Sequence, residues 1–589
     1  MKKVVCAVIL VVIALFLVKT CAVWTYEATV SGHNAPITVK VSMTGGRIKN
    51  VEVTKDSETT GVGKKAIEII TRRIVEEQSL SVDTVTGASI TSRAILAAAE
   101  QAMQGGKVRT ERFKNNTEAR QTEDESLTAD VIVVGGGGAG LAAAVSAEQH
   151  DARVLVLEKL DILGGSTNVS EGALNAVDPK RQKPQGIEDS VEKFIDQTWH
   201  GGHEKGDMEL IRYLCGNSME SIKWLEDLGA VFKDTVSTAT GALFPRSHYP
   251  ATPSGNSYVR VFEDYVSSHE DLTVRTGVEV HSLTVEKGRI TGVSGVKKDG
   301  GTVTASAPCV ILATGGFGAN KEMLKKYNTG VWAHVDLTAL GCTNMVNCAT
   351  GAGIEMAAAI GADVTGMSDI QVHPCGTPGT GLMENIRTSG RNRIFVNKEG
   401  SRFVNEGAAR DVLAQAVLDQ EDQTFWIVVN TVRYPSRDWV DENGSTIADM
   451  VSQGKVFEGR TLEELAEKTG MKAENLTASV SGYNAVVRGE KEDDFGFRAD
   501  NPADVEMTEG PWYACRKVPT VHHTMGGLKI NTDTEVLDTS GSPIPGLYAA
   551  GEVTGGIHGS NRLGGNAIAD IMTFGKKAGE MAASYSAEY

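Results

Sequence analysis

The first chemistry in this chain lies in its glycine spacing. Gly135, Gly137 and Gly140 form a G-x-G-x-x-G run that also contains Ala139, and Glu158 follows 18 residues after Gly140. Such glycines allow a tight turn, a close backbone approach to a pyrophosphate and a close-packed helix. An acid at that distance can hold a ribose hydroxyl. The elements that must position these residues stand in order around them. Val131–Val134 reads as a short buried strand, Leu141–Val145 as the start of a helix, and Val154–Leu157 as a second strand that ends at Glu158. Strand, turn, helix, strand and acid together make a dinucleotide-binding unit. Further glycine-rich turns follow, where backbone can approach a cofactor closely: Gly164-Gly165-Ser166-Thr167-Asn168, Gly172–Asn175, Ala313-Thr314-Gly315-Gly316-Phe317-Gly318 and Gly546–Glu552.

Four islands carry ionisable groups: Gln371-Val372-His373-Pro374, Arg402–Glu406 with Arg410-Asp411, His522-His523-Thr524, and His558–Ala567 with Arg562. Taken singly, such side chains are usually surface or satisfied groups. An Arg fork takes a carboxylate bidentately, but the residues alone are merely suggestive and only a family resemblance makes the set specific. Cations around such an acid stabilise enolate-like charge on the adjoining carbon.

A separate module spans residues 25–105. Tyr26–Val53 alternates apolar and polar residues around Gly45-Gly46 and predicts a β-hairpin. Lys65–Gln78 carries Ile67, Ile70, Ile74 and Val75 on one helical face, and Ala94–Met103 predicts a second helix. Between them, Asp83-Thr84-Val85-Thr86-Gly87-Ala88-Ser89 is either a plain cap and turn or an anion site at the helix N-terminus, and spacing alone favours the cap. Residues 106–128 are polar and charged and predict a linker.

The 589 residues are 41% hydrophobic and 23% charged, as a globular chain is. The net charge of −17 leaves no overall basic footprint for nucleic acid. It is unevenly spread: residues 1–120 hold 17 Lys and Arg against 11 Asp and Glu, a net of +6, leaving −23 beyond them. The 65 glycines against 15 prolines follow no collagen-like period and are expected at local turns. The eight cysteines include no C-x-x-C pair, which disfavours zinc ribbons, iron–sulfur clusters and attached haem, and no metal is expected. Cys342 and Cys348 are near enough in sequence to pair, though free thiols are the simpler reading. Ahead of everything stand Lys2-Lys3 and the apolar run Val4 to Val18, continuing to Trp24. No small-x-small cleavage site follows, and Val18-Lys19-Thr20 is a poor lipobox before Cys21. The expectation is a retained membrane anchor with its lysines inside and the body extracytoplasmic.

Residues 129–589 resemble, nearly continuously, the FAD-binding family of fumarate reductase and succinate dehydrogenase flavoproteins. The islands resemble, block by block, the soluble flavocytochrome c fumarate reductases. The resemblance implies an α/β fold: a Rossmann-like FAD-binding domain (129–367 and 523–589) split by an α+β clamp domain (368–522) that closes over substrate. It implies FAD contacts from Gly135, Gly137, Ala139, Gly140, Glu158, Gly165, Ser166, Thr167, Thr314, Gly315, Gly316, His523, Glu552, Asn566, Ala567 and Ile568. No His stands in Leu163–Asn175, so FAD is expected to be non-covalent. It further implies that Arg562 and His522 clamp one substrate carboxylate and His373 binds the other end. Arg410 would give a proton to carbon while FAD gives hydride to the neighbouring carbon. In the urocanate reductases the place of His373 holds a Tyr, so this His leans toward a dicarboxylate. One pattern differs. The acid and base that relay protons to the Arg in that family fall here on Ile386 and Ser389, and a substrate contact falls on Asn385. Glu384, Arg387 and Arg391 stand nearby as substitutes.

Glu58-Thr59 and Asp83-x-x-Thr86-Gly87-Ala88-Ser89 resemble an FMN-binding domain in which a flavin transferase attaches FMN through a phosphodiester, here to Ser89. Together these readings give an anaerobic respiratory enoate reductase. Electrons pass from a membrane or extracytoplasmic donor through FMN to FAD and a small unsaturated carboxylate. Reduction of urocanate or another acrylate is the alternative, and a flavin electron carrier or redox sensor is the reading from another class. A dehydrogenase or oxidase running in the opposite direction is the third.

Overall fold

The computed structural model describes residues 22–114, 123–252, 254–345, 347–440, 445–499, 501 and 503–589. The expected N-terminal anchor, with Cys6 and Cys21, lies outside the described residues. Among those described, no helix is long and apolar enough to cross a membrane. The chain divides into two compact units, the first within residues 1–121, the second built from 122–442 and 446–589.

In the first unit, β1 (Trp24–Ser31), β2 (Pro36–Thr44) and β3 (Arg47–Lys55) form an antiparallel meander rather than a single hairpin. The alternation breaks at His33-Asn34, where the first turn closes with the Gly32 N–H donating to the Ala35 carbonyl at 3.0 Å. Ile37, Val39 and Val41 are fully buried. Helices α1 (Gly63–Glu77) and α2 (Ser89–Gly105) pack on the strands. The second helix begins five residues before the expected Ala94. Gly87, at φ +95°, turns the chain, and Ser89 is the first helical residue. The segment expected as a linker also carries structure. Phe113 is buried, and its carbonyl accepts from the Leu80 N–H at 2.8 Å and the Ser79 hydroxyl at 3.1 Å. One aromatic residue anchors a stretch that its polar composition marks as loose.

The second unit starts with β4 (Glu125–Thr128), the far end of the same expected linker. Then β5 (Val131–Val134), α3 (Gly138–Glu148) and β6 (Val154–Glu158) fold as the dinucleotide-binding spacing requires. β7 (Leu272–Thr276) continues the parallel sheet on the far side of β6. The strands β8 (Val278–Glu286), β9 (Arg289–Lys297) and β10 (Thr302–Ser306) form an antiparallel sheet whose edge is β4, parallel to β10. β11 (Cys309–Leu312) returns beside β5. A third sheet follows, from β12 (Gly341–Cys342), β13 (Ile370–Gly376), β14 (Ile394–Val396), β15 (Phe425–Val429) and β16 (Phe457–Gly459), gathered around the long β17 (Trp512–Thr524), with the helix α4 (Arg410–Leu418) against β13. Because β12 pairs with β17, and β17 runs to Thr524, this sheet draws strands from both sides of the expected 368–522 limits. The chain then adds β18 (Glu535–Leu537) and β19 (Pro543–Ala549), completing the parallel sheet in the order β18-β19-β11-β5-β6-β7.

Parallel strands covered on both faces must be apolar throughout, and every residue of β5 and β11 is buried. The C-terminal helix α5 (Asn566–Ser586) packs along α3. A Cβ on Gly575 would sit 2.7 Å from the Ala139 carbonyl oxygen, and one on Gly579 would sit 2.2 Å from that of Ala143. Glycine is what lets these two helices approach.

Candidate active site

A cleft of about 930 Å³, its open mouth included, runs along the carboxyl ends of the parallel strands. Gly135, Gly137, Ala139, Glu158, Gly165, Ser166, Thr167, Thr314, Gly315 and Glu552 line it, as the sequence leads one to expect. The glycines differ in task. A Cβ on Gly140 would lie 1.8 Å from the Gly135 carbonyl oxygen, and Gly135 itself holds φ +107°, so both shape the turn. At Gly137 a Cβ would meet nothing within 4 Å, so the space above it is open. Gly137 is the N-cap of α3 and no side chain caps that helix, which leaves its N–H groups for an anion. Glu158 accepts from the Gly136 N–H at 2.6 Å and the Leu160 N–H at 2.7 Å, and burial pushes its carboxyl pKa up. These residues fit a dinucleotide such as FAD: open backbone donors at a helix N-terminus, then an acid.

Six expected cofactor residues are absent from the cleft wall. Gly140 is in the turn, and Gly316 packs where a Cβ would sit 2.0 Å from the Thr524 hydroxyl oxygen. His523 lies 3.6 Å from Glu552. Asn566 is fully buried, taking a hydrogen bond from Asn175 at 2.8 Å and giving one to Thr198 at 3.2 Å. Ala567 and Ile568 follow it in α5. Conversely, Lys159, Asn344, Cys348 and Met356 line the cleft without having been singled out for it. The segment 341–350, which holds Asn344 and Cys348, draws notice in the sequence only for its two cysteines, and the six described cysteines are all free thiols.

The second centre is built by the pairing of β13 with β17. Val372 faces Val521, and His373 faces Thr520, so His373 and His522 come together with ring centroids 4.7 Å apart. Side chains alternate along β17. His522 therefore meets Thr343, at 2.8 Å from Nδ1, while its neighbour His523 turns to Glu552. His373 is 1% exposed, and its Nδ1 accepts from the Cys375 N–H at 3.1 Å. That bond puts the proton of the neutral ring on Nε2, a buried atom with no hydrogen-bond partner among the described residues. Burial, then the charges of Arg410 and Arg562, hold the His373 pKa well below its usual value, so the ring is a neutral donor.

Arg410 opens α4, and Arg562 sits in the loop before α5; both are buried. Arg410 donates from Nε to the Thr240 carbonyl at 2.9 Å and from Nη1 to the Gln371 side-chain oxygen at 3.1 Å. Gln371 in turn donates to the Arg562 carbonyl at 2.8 Å and to Asn561 at 2.9 Å. The Arg562 Nε is buried without a hydrogen-bond partner. Burial lowers the Arg410 pKa to about 10, and burial with the Arg410 charge lowers that of Arg562. Two buried like charges beside two neutral imidazoles favour an anion between them, beyond the Glu171, Glu552 and Asp570 charges that already act on the arginines. A carboxylate meets that need.

Of the expected substitutes for the relay, Arg391 pairs with Asp504 at 2.7 Å, and the Glu384 carbonyl accepts from Lys517. Arg387 is buried, with Nη1 3.7 Å from Glu171, to which the Ser389 hydroxyl donates at 2.8 Å. Ile386 is fully buried in the core of the third sheet, and Asn385 takes a left-handed φ of +61°. Glu171, Gln371, Thr240 and Thr343 are the site residues that sequence reasoning assigned no role.

In the first unit Ser89 starts α2, whose N-terminus no side chain caps. Glu58 is buried, accepting from the Thr91 hydroxyl at 2.5 Å and the His33 N–H at 2.8 Å, which joins the 58–59 block to the helix bearing Ser89. An uncapped helix start with a hydroxyl at its first residue suits a phosphoester such as the FMN linkage.

Comparison with known proteins identifies two flavin-binding domains in the chain. Residues 130–568 match the FAD binding domain family, and residues 32–104 match the FMN-binding domain family. The chain is 34% identical to an NADH:acrylate oxidoreductase of Vibrio harveyi, over 95% of this chain and 61% of that protein, so it spans about three fifths of that relative's length. It is 36% identical to a urocanate reductase of Eggerthella lenta, over 95% of this chain and 92% of the relative. The solved open conformation of a flavocytochrome c3 fumarate reductase superposes with a TM-score of 0.64 at 36% identity, over 81% of this chain and 83% of that one. The chain belongs to the FAD-binding flavoprotein family of the fumarate and urocanate reductases, and carries an FMN-binding domain ahead of its FAD-binding domain.

Proposed function

We propose that the chain is an enoate reductase of the fumarate reductase type, which adds hydride and a proton across the C=C bond of a small unsaturated carboxylate. One observation carries this reading: His373 Nε2 and Arg562 Nε are buried donors without an acceptor among the described residues, beside the buried cation Arg410. A substrate carboxylate gives them acceptors and neutralises the arginines. FAD, when bound without a covalent link, supplies the hydride. Arg562 and His522 hold one carboxylate, and His373 holds the far end of the substrate. Arg410 gives a proton to the carbon beside a carboxylate, and its lowered pKa makes that proton easier to release than an ordinary guanidinium's. The surrounding cations stabilise the enolate-like charge in a site from which water is largely excluded.

The neutral Nε2–H of His373 favours a dicarboxylate such as fumarate, because a monoacid leaves this buried donor unpaired. Urocanate or another acrylate is the alternative, favoured by the names of two relatives. A flavin electron carrier or redox sensor has no use for a desolvated anion pocket. On this account a flavin transferase loads FMN onto Ser89, and a membrane or extracytoplasmic donor delivers electrons to an exported body held by the N-terminal run. Oxidation of dithionite-reduced viologen, with fumarate, urocanate and acrylates offered in turn, tests the reading. Acceleration by at least one of them is expected, and acceleration by none rejects it.

A further inference from the structure

We propose that His203 is a positioning residue for the proton-donating Arg410, acting through Asp411 and Asn561. The inference rests on the enoate reductase reading, in which Arg410 must reach carbon while Arg562 holds a carboxylate. Each of these arginines has a chain neighbour bonded to the neighbour of the other: Asp411 follows Arg410, and Asn561 precedes Arg562. Asn561 Nδ2 donates to Asp411 Oδ1 at 3.3 Å, and Asn561 Oδ1 accepts from Gln371 Nε2 at 2.9 Å. Gln371 Oε1 accepts from Arg410 Nη1 at 3.1 Å. The bonds therefore close a ring from Arg410 through Gln371, Asn561 and Asp411 back to Arg410.

One turn fastens this ring from outside. The helix Val191–Gly201 ends there, and His203 and Glu204 take left-handed φ of +56° and +59°. Two successive residues other than glycine hold that shape only where their surroundings fix it. Here the surroundings are the site itself. The Gly202 carbonyl accepts from the Ser560 N–H at 2.9 Å, and the Gly201 carbonyl from Asn561 Nδ2 at 3.3 Å. His203 Nδ1 lies 2.9 Å from the Ser560 hydroxyl oxygen, and its Nε2 lies 3.3 Å from Asp411 Oδ2. Lys205 Nζ donates to Asp369, the residue before β13, at 3.1 Å. One turn thus touches the three segments that carry Gln371 and His373, Arg410, and Arg562.

The His203 bond keeps its direction in either protonation state. A carboxylate only accepts, so Nε2 carries a hydrogen in the neutral and in the charged ring, and Nδ1 adapts to the Ser560 hydroxyl. The His203 side chain is 52% exposed, so its contact with Asp411 adds little to stability. Its effect falls on geometry. Asp411 stands next to Arg410 in the first turn of α4, so a shift of its carboxylate moves the helix end that bears the proton donor. Arg562 keeps its own tie, the Gln371 bond to its carbonyl at 2.8 Å. Loss of His203 therefore falls on kcat more than on KM.

The test uses the flavin-loaded full chain, the enoate that the wild type reduces fastest, and reduced viologen as donor. His203→Ala is expected to lower kcat about tenfold, with KM within about threefold, because small misplacements of a reacting group cost on that scale. Its Tm and bound FAD should match the wild type. His203→Gln keeps an N–H donor at similar reach and is expected to recover most of the loss. Asp411→Asn is expected to lower kcat as well. The double variant should lose no more than the worse single variant, because both act through one contact. A kcat for His203→Ala within twofold of wild type overturns the assignment. So does a His203→Gln as slow as His203→Ala, and so do single losses that multiply in the double variant. A loss accompanied by a lower Tm and released FAD overturns it too, since that marks a purely structural role. If the wild type reduces no enoate, the proposed function itself fails, an outcome separate from all of these.

Discussion

Arg410 Nη1 donates to the side-chain oxygen of Gln371 at 3.1 Å, and the amide of the same Gln371 donates to the backbone of Arg562. One neutral side chain thus spaces two buried cations that repel each other. Gln371→Ala removes that spacer while leaving both arginines in place. We expect kcat to fall about tenfold or more, since small misplacements of reacting groups cost on that scale, with FAD retained. Arg410→Ala is expected to abolish turnover with FAD still bound. Steady-state kinetics beside flavin absorbance read both; turnover retained by Arg410→Ala removes it from the role of acid.

His373 should decide between acids. Its Nε2–H is a buried donor, and a hydrogen bond to a charged group contributes about 1.5–3 kcal/mol. His373→Ala is therefore expected to lower kcat/KM for a dicarboxylate by roughly 10- to 100-fold, while a monocarboxylic acrylate changes far less. Competition between fumarate and acrylate in one assay gives the ratio, and an unchanged ratio rejects the assignment.

Two glycines three residues apart, at most about 10–11 Å of extended chain, should fail in different ways. Gly140→Ala puts a methyl 1.8 Å from a carbonyl oxygen, so the apoprotein itself should lose stability. Gly137→Ala meets no protein atom within 4 Å, so the apoprotein should melt as wild type does while FAD affinity falls. Thermal melts with and without added FAD separate the two. Equal FAD affinity in Gly137→Ala and wild type would place the pyrophosphate elsewhere.

Glu552 gives a pH signature. Burial raises its carboxyl pKa to about 7, above the usual carboxylate range of the unfolded chain. Its neutral form is thus favoured by folding. The stability it contributes is present below the unfolded pKa and is lost as pH rises through about 7. In FAD-free protein, the Tm of wild type relative to Glu552→Gln is expected to fall between about pH 5 and 8. A difference that stays constant with pH would contradict it.

Ser89 is tested by mass. Protein expressed with its flavin transferase should yield a Ser89-containing peptide heavier by one FMN phosphoester, and Ser89→Ala should yield none. An unmodified wild-type peptide removes the covalent link.

Legibility in the sequence follows chain distance. Residues 131–158 are read with ease because strand, turn and helix periods are local, and Gly135 to Glu158 fold in place. His373, Arg410, His522 and Arg562 are visible as islands, yet only resemblance assigns them roles, since their meeting depends on β13 pairing with β17 far along the chain. Gln371 stands in the first island, but its task as a spacer exists only in three dimensions. Glu171 has no motif, and its place in the site is set by Ser389 and Arg387, more than 200 residues on. Phe113 is missed for a simpler reason: average composition conceals a single residue that anchors the chain.

The central claim is that reducing equivalents in this protein leave through an enoate. Anaerobic mixing of the dithionite-reduced flavoprotein with fumarate, urocanate or acrylate, followed by flavin absorbance and product analysis, tests it most directly. The expected result is rapid flavin reoxidation by at least one acid, with one saturated carboxylate formed per two electrons. Reoxidation by every acid no faster than in buffer alone would contradict the account.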